Sequence, residues 1–170
     1  MTDREARKSR EPRESPKSGE RRESVEVPES PVSDVDRILR KILEGTAEET
    51  GTDFFRALVR AVSDALGVYG SWVTELTEDG RHLRAHAFWL GGTFIDDFSY
   101  EIAGTPCEHV IGEKRLVHIP DHAAELYPDD PDLAEAGAAS YMSAPLLDTD
   151  DTVLGNLALI HDAPLEEDER

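Results

Sequence analysis

One cysteine and six histidines carry most of the soft-metal and thiol chemistry open to this 170-residue chain. Cys107 follows Gly104-Thr105-Pro106, which reads as a helix entry with Thr105 as cap and Pro106 at the first helical position. A thiolate there meets unpaired backbone N–H groups, which lowers its pKa and raises its reactivity, so a thiol redox sensor is one reading of Cys107. A small buried apolar side chain is the other. A single cysteine excludes an intrachain disulfide, a four-cysteine zinc site and a dithiol cycle within one chain. Among the histidines, His118 and His122 are separated by Pro120 and share no helix. His82 and His86 lie in an extended stretch, about 13 Å apart on one face, too far for one metal. Cys107, His109 and His118 meet only if the fold brings them together, so no metal and no cofactor is expected. Asp96-Asp97 and Asp129-Asp130-Pro131-Asp132 lack calcium-loop spacing and read as solvated turns. No Ser-His-Asp order, phosphate loop or metalloprotease motif is present, so no catalytic residue is expected and the chain is not read as an enzyme.

Charge narrows the partners. The chain carries a net −19, and residues 35–170 hold −18 of it. A nucleic-acid reader needs a basic face to displace counterions, and a binder of anionic membrane needs one too, so both are disfavoured. The longest near-continuous apolar run, Val153–Ile160, is far short of the roughly 20 residues of a membrane span. No apolar stretch follows the N-terminal charges as in a signal peptide. The expectation is a soluble, cytoplasmic protein.

The elements that would position these residues begin after residue 34. Residues 1–34 hold six Ser, four Pro and almost no apolar side chains, and read as a disordered charged tail with Ser15-Pro16, Ser30-Pro31 and Arg21–Ser24 as possible kinase sites. Residues 35–47 place Val35, Ile38, Leu39, Ile42 and Leu43 on one helical stripe. A second helix starts at Thr52 as cap, carries Phe54, Phe55, Leu58, Val59, Val62, Ala65 and Leu66 at helical spacing, and ends at Gly67. The period then becomes that of strands: Tyr69–Leu76, a turn at Glu78-Asp79-Gly80, and His82–Leu90. In that last strand Leu83, Ala85, Ala87 and Trp89 share one side, and Arg84, His86 and Phe88 the other. Phe94–Ile102 is extended but interrupted at Asp96-Asp97. A short helix Cys107–Ile111 ends at Gly112. Leu116–Ile119 is a strand, His122–Tyr127 and Asp132–Ala138 are short helices around a Pro128–Pro131 turn, and Tyr141–Leu147 is a strand. Val153–Ile160, apolar on both faces, is central in its sheet. Pro164–Arg170 reads as the first turn of a helix.

Five segments, in this order, resemble a GAF domain: Phe55–Arg60 with Ala65–Val68, Gly104-Thr105-Pro106-Cys107-Glu108, Leu126–Pro131, Ala139–Leu146 and Val153–Ala158. The second is similar to the "GTPCE" segment of a bacterial sensory subgroup found upstream of PAS, histidine-kinase, diguanylate-cyclase or sigma-54-activator modules. The resemblance covers residues 48–165 and leaves 166–170 as the start of an exit helix. It implies an α+β fold: a central antiparallel sheet of five to six strands, helices on one face, and short helices and loops capping a pocket on the other. It also implies a sensory domain that binds an unknown small molecule, forms a homodimer, and regulates an output kinase, cyclase or transcription-activator module in cis or trans. Phe98, Tyr100, Thr105, Cys107, His118, Tyr127 and Tyr141 are the lining residues it suggests, with the helix start at Thr105–Cys107 open to an anionic group. A ligand-free dimerisation or protein-interaction module is the alternative, supported by the 35–43 stripe. Reductases of this family use several cysteines, bilin carriers a Cys-His pair, and cyclic-nucleotide binders an Asn-Lys-Phe-Asp-Glu signature. None of these patterns occurs here.

Overall fold

Helical periodicity in the first part of the domain and strand periodicity in the second give two helices followed by a sheet. The computed structural model describes residues 34–165. The charged tail (except Asp34) with its kinase sites, and the exit-helix start at 166–170, lie outside the described residues. Helix α1 spans Asp34–Thr46 and α2 spans Gly51–Leu66. The strands are β1 (Gly70–Leu76), β2 (His82–Leu90), β3 (Thr93–Phe94), β4 (Ser99–Glu101), β5 (Val117–Ile119), β6 (Ser140–Leu147) and β7 (Val153–His161). Short helices α3 (Pro106–Glu113), α4 (Ala123–Leu126) and α5 (Pro131–Glu135) fall between them.

The strands form one antiparallel sheet of order β3-β2-β1-β7-β6-β5, with β4 also pairing β2. The doubly apolar β7 is central, as its composition requires. Seven strands stand where five to six were expected, because Asp97 takes a left-handed φ of 54° and cuts the third extended stretch into two short pieces. Helix α3 also differs from expectation. Gly112 continues the helix, and Lys114 takes the left-handed cap at φ 51°.

Each face of the sheet has its own core. On one, Val59 of α2 packs on Val73 and Ala87, and Val62 packs with Leu159. Helix α1 lies against α2 through half-buried Ile38 and Ile42, and a Cβ on Gly45 would come within 2.8 Å of the Ala61 Cβ. Its other apolar residues face out, Leu39 at 52 % and Leu43 at 67 % exposure. On the opposite face, Trp72, Leu83, Phe88, Tyr141 and Ile160 form the larger core under α3, α4 and α5.

Strict alternation fails in β2. Val73 pairs Ala87, but Thr74 pairs Ala85, so His86 is an extra residue in a bulge. Leu83 and Ala85 therefore belong to the larger core, while Ala87 and Trp89 lie under α2. His86 stacks on Phe55 at 4.7 Å, and His82 pairs instead with Asp79 at 2.8 Å, so the two histidines serve separate contacts.

β1 and β7 pair only from Gly70↔Ile160 to Val73↔Leu157. Beyond that point Gly155 lies so close to β1 that a Cβ would sit 1.9 Å from the Thr74 carbonyl oxygen and 2.9 Å from the Glu75 Cα. Backbone cannot yield as a flexible side chain does. Gly155→Ala is predicted to lower stability by about 3 kcal/mol or more, whereas Gly112→Ala, in a helix with nothing within 4 Å, gains about 0.5–1 kcal/mol. Paired urea denaturation curves check both signs.

Candidate functional site

Between the sheet and the α3 and α5 layer lies a cavity of about 310 Å³. Its floor is aromatic. Ring centroids follow one another at 5.1 Å (Trp72–Phe88), 4.9 Å (Phe88–Phe98) and 5.2 Å (Phe98–Tyr100). Strand β1 supplies Trp72, β2 supplies Phe88 and Leu90, and β6 supplies Tyr141.

The segment Gly104–Glu108 turns the chain into α3. Gly104 has φ +78°, where a side chain is strained, and its N–H is held by the Glu108 carboxylate at 3.1 Å. Thr105 occupies the cap position but turns its hydroxyl back to the Ile102 carbonyl at 2.7 Å. Pro106 starts the helix, and Cys107, 2 % exposed, points into the core.

The Cys107 sulfur is the centre of a buried polar group. The hydroxyls of Tyr100 and Tyr141 lie 3.1 and 3.0 Å from Sγ, and Asn156 Nδ2 lies at 3.5 Å. Trp72 Nε1 donates to the Tyr100 oxygen at 3.2 Å, and Asn156 Nδ2 donates to Ser143 at 2.9 Å. Burial pushes the thiol above its ordinary pKa, against the lowering by its hydrogen-bond partners, and pushes both phenols well above theirs. Desolvation thus outweighs these hydrogen bonds, and the sulfur is held as a thiol within a satisfied network.

Of the seven residues suggested by the sequence, Phe98, Tyr100, Cys107 and Tyr141 line the cavity together. Thr105 is buried beside it, held by its bond to Ile102. His118 is on the opposite face: its neighbours Val117 and Ile119 fill the larger core, and its Nε2 lies 2.9 Å from the Leu165 carbonyl. Tyr127 packs on the core margin with its ring 6.3 Å from that of His109, outside the lining. Among the described residues no three His, Cys, Asp or Glu side chains are placed to hold a metal ion.

The acidic cluster is not a solvated turn throughout. Asp130 is 7 % exposed, and its Oδ1 accepts the N–H groups of Asp132 and Leu133, capping α5. Asp130, Asp132 and Glu135 all line the cavity, whose lining contains no basic side chain. The only sequence signal for this was Asp-Pro at a helix start, which also fits an exposed turn.

The family model described as GAF domain matches residues 34–170. The chain belongs to the GAF family. GAF domains are generally sensory and regulatory domains that bind small ligands, and they commonly sit in multidomain sensors with kinase or other output modules. No curated protein matches this chain in sequence. Among solved structures, the GAF domain of an Acinetobacter phosphoenolpyruvate-protein phosphotransferase is similar at 18 % identity and TM-score 0.62, over 80 % of this chain and 81 % of that one. The free methionine-R-sulfoxide reductase of Neisseria meningitidis, solved with its substrate, is similar at 16 % identity and TM-score 0.62, over 80 % and 77 %. The phycocyanobilin-bound GAF domain of a cyanobacterial phytochrome is similar at 14 % identity and TM-score 0.57, over 81 % and 84 %. These likenesses show a shared GAF fold. No helix among the described residues is long and apolar enough to cross a membrane.

Burial holds the Asp130 carboxyl above its ordinary pKa, and the nearby Asp132 carboxylate adds to this, against lowering by the Leu133 and Asp132 N–H groups. In the window between the ordinary and the raised value the folded chain binds the extra proton, so this group's contribution to stability falls as pH rises. Asp130→Asn keeps a capping oxygen and removes the ionisation. Its stability relative to the parent chain is therefore expected to increase from about pH 4 upward and then level off. Urea melts of both proteins across that range measure the slope, and a flat difference would show that Asp130 titrates alike in both states.

Proposed function

We propose that this GAF domain is a cytoplasmic sensory domain that binds a small ligand in the Trp72–Tyr141 cavity and regulates an output partner through its terminal helices. The supporting observation is the cavity itself: about 310 Å³ between sheet and cap, aromatic over much of its surface, with a few polar groups at one side. The output partner is a kinase, cyclase or transcription-activator module, in cis or in trans.

Strand β1 supplies the route. Trp72 faces the cavity, while its neighbour Ser71 donates to the Val59 carbonyl of α2 at 2.6 Å and contacts the Ser63 hydroxyl at 2.8 Å. A ligand that favours one setting of Trp72 favours one setting of α2, by population shift. A thermal-shift screen of metabolites against the whole chain tests binding. A ligand at a hundredfold over its Kd adds about 2.7 kcal/mol of stability. Ala136→Phe, which fills the cavity from the end of α5, is expected to abolish the shift. If no compound raises the Tm, or the shift survives in Ala136→Phe, the cavity is not the site.

A second reading, a dimerisation module, is supported by the outward stripe of α1, Val35, Leu39 and Leu43, exposed by 52 % or more. Packing on α2 uses only the inner residues of that helix. Leu39→Glu with Leu43→Glu is expected to turn a dimer into a monomer in sedimentation velocity without shifting the melting temperature of the domain. A monomeric parent chain at tens of micromolar excludes this reading.

A further inference from the structure

The lining of the cavity is chemically one-sided, and that narrows what it accepts. It contains three carboxyl groups, from Asp130, Asp132 and Glu135, and no Lys, Arg or His. An anionic ligand would meet repulsion with no compensating cation. The hydroxyls of Tyr100 and Tyr141 are engaged with the Cys107 sulfur, so the interior offers little free donor capacity for a carboxylate or phosphate. The helix start at Cys107 does not alter this balance, since Glu108 of its first turn is already held at the Gly104 N–H.

What the cavity does offer is an aromatic wall facing a carboxylate side. The Trp72, Phe88, Phe98 and Tyr100 rings follow one another at tilted angles in one continuous row along the lining. A cation over such faces is attracted by the ring quadrupole, most strongly over Trp, and more so when desolvated. Asp130 adds a carboxyl that is 7 % exposed. Its Oδ1 takes both α5 N–H groups, and its second oxygen, which makes no hydrogen bond among the described residues, stays accessible rather than sealed in the core. Such a buried carboxyl is stabilised by a positive partner.

Resting on the reading that this cavity is a ligand site, we propose that it takes a small organic cation of the alkylated-ammonium class, seated on the Trp72–Tyr100 wall with its charge toward Asp130, Asp132 and Glu135. A metal ion is the wrong occupant, because no three of the acidic or soft side chains among the described residues are placed to coordinate one. A diffuse organic charge needs no such convergence: its methyl groups fill apolar space and its field reaches carboxylates several ångströms away. The net −19 of the chain draws cations to the mouth.

Three probes of matched shape decide it: choline, its uncharged carbon counterpart 3,3-dimethylbutan-1-ol, and the anion 3,3-dimethylbutanoate. Each is titrated into the whole chain at low ionic strength, with nuclear magnetic resonance shifts of the cavity residues as readout. Choline is expected to bind at least tenfold more tightly than the alcohol, and the anion most weakly. The double variant Asp132→Asn with Glu135→Gln, both on the exposed side of α5, weakens choline about tenfold and leaves the alcohol unchanged. Asp130→Asn, which retains the cap, does the same. If the alcohol binds as tightly as choline, or choline is indifferent to these variants, the cation assignment is overturned while the ligand-site reading stands. If none of the three perturbs Trp72, Phe88 or Tyr141, the cation assignment is overturned, and the ligand-site reading stands or falls on the metabolite screen and Ala136→Phe.

Discussion

Everything around the cavity depends on how β1 leaves β7 at Thr74. Up to Val73 the two strands share a backbone ladder. There the ladder ends, and side chains replace it: the Asn156 N–H donates to Thr74 Oγ1 at 3.2 Å, and the Thr74 hydroxyl bonds the Asn156 side-chain oxygen. The exchange works because residue 155 is glycine, so the Thr74 carbonyl can occupy the space of its absent Cβ. The freed Asn156 amide then reaches Ser143 of β6 and the Cys107 sulfur of α3. One irregularity in the central strands thus ties three strands to the helix that roofs the site. Every buried polar side-chain atom among the described residues has a partner, which is what makes a network of this kind tolerable in an apolar interior.

The same step sets which side chains line the cavity. The bulge at His86 falls opposite Val73 and Thr74, where β1 changes course. Without it, Phe88 and Leu83 would project from opposite faces, and one of the two would be lost from the larger core. With it, Leu83, Phe88 and Leu90 all contribute to that core, while Ala87 and Trp89 remain beneath α2. Burial of each such side chain is worth about 1.5–3 kcal/mol. The bulge therefore lets residues from both halves of β2 reach the larger core, which strict alternation would split between the two faces.

Periodicity made most of the architecture legible in the sequence. The α2 stripe, the β1–β2 hairpin around Asp79-Gly80 and the central place of β7 all follow from spacing and turn chemistry, and the order of motifs pointed to the family. What escaped was whatever depends on contacts between distant segments. A period-2 pattern carries no mark of a bulge, so β2 reads as one uninterrupted face. His118 reads as pocket-facing by analogy, yet in β5 it alternates with Val117 and Ile119 and turns away from the larger core. For Cys107 the sequence leaves an activated thiol and a buried apolar side chain side by side, because the desolvation that favours the second depends on distant segments. Trp72 and Phe88 carried no signal beyond being apolar in strands.

Asp130 shows how a misreading of that kind can conceal a buried carboxyl. In sequence, Asp129-Asp130-Pro131-Asp132 is a polar turn, and Asp129 and Asp132 are indeed exposed. Burial of the middle carboxyl carries a desolvation penalty, since each charge taken out of water costs several kcal/mol unless it is matched. Capping α5 offsets part of this through two N–H groups, but its pKa remains raised, so the offset is incomplete. An asparagine-like neutral group would cap as well at lower cost. The neighbouring Asp132 carboxylate makes ionisation harder still, and the sulfur and phenols behind it are neutral and supply no countercharge. Within the cavity the carboxyl groups therefore stand without a basic partner. The group that would balance them is a positive charge that the protein's own side chains do not provide there.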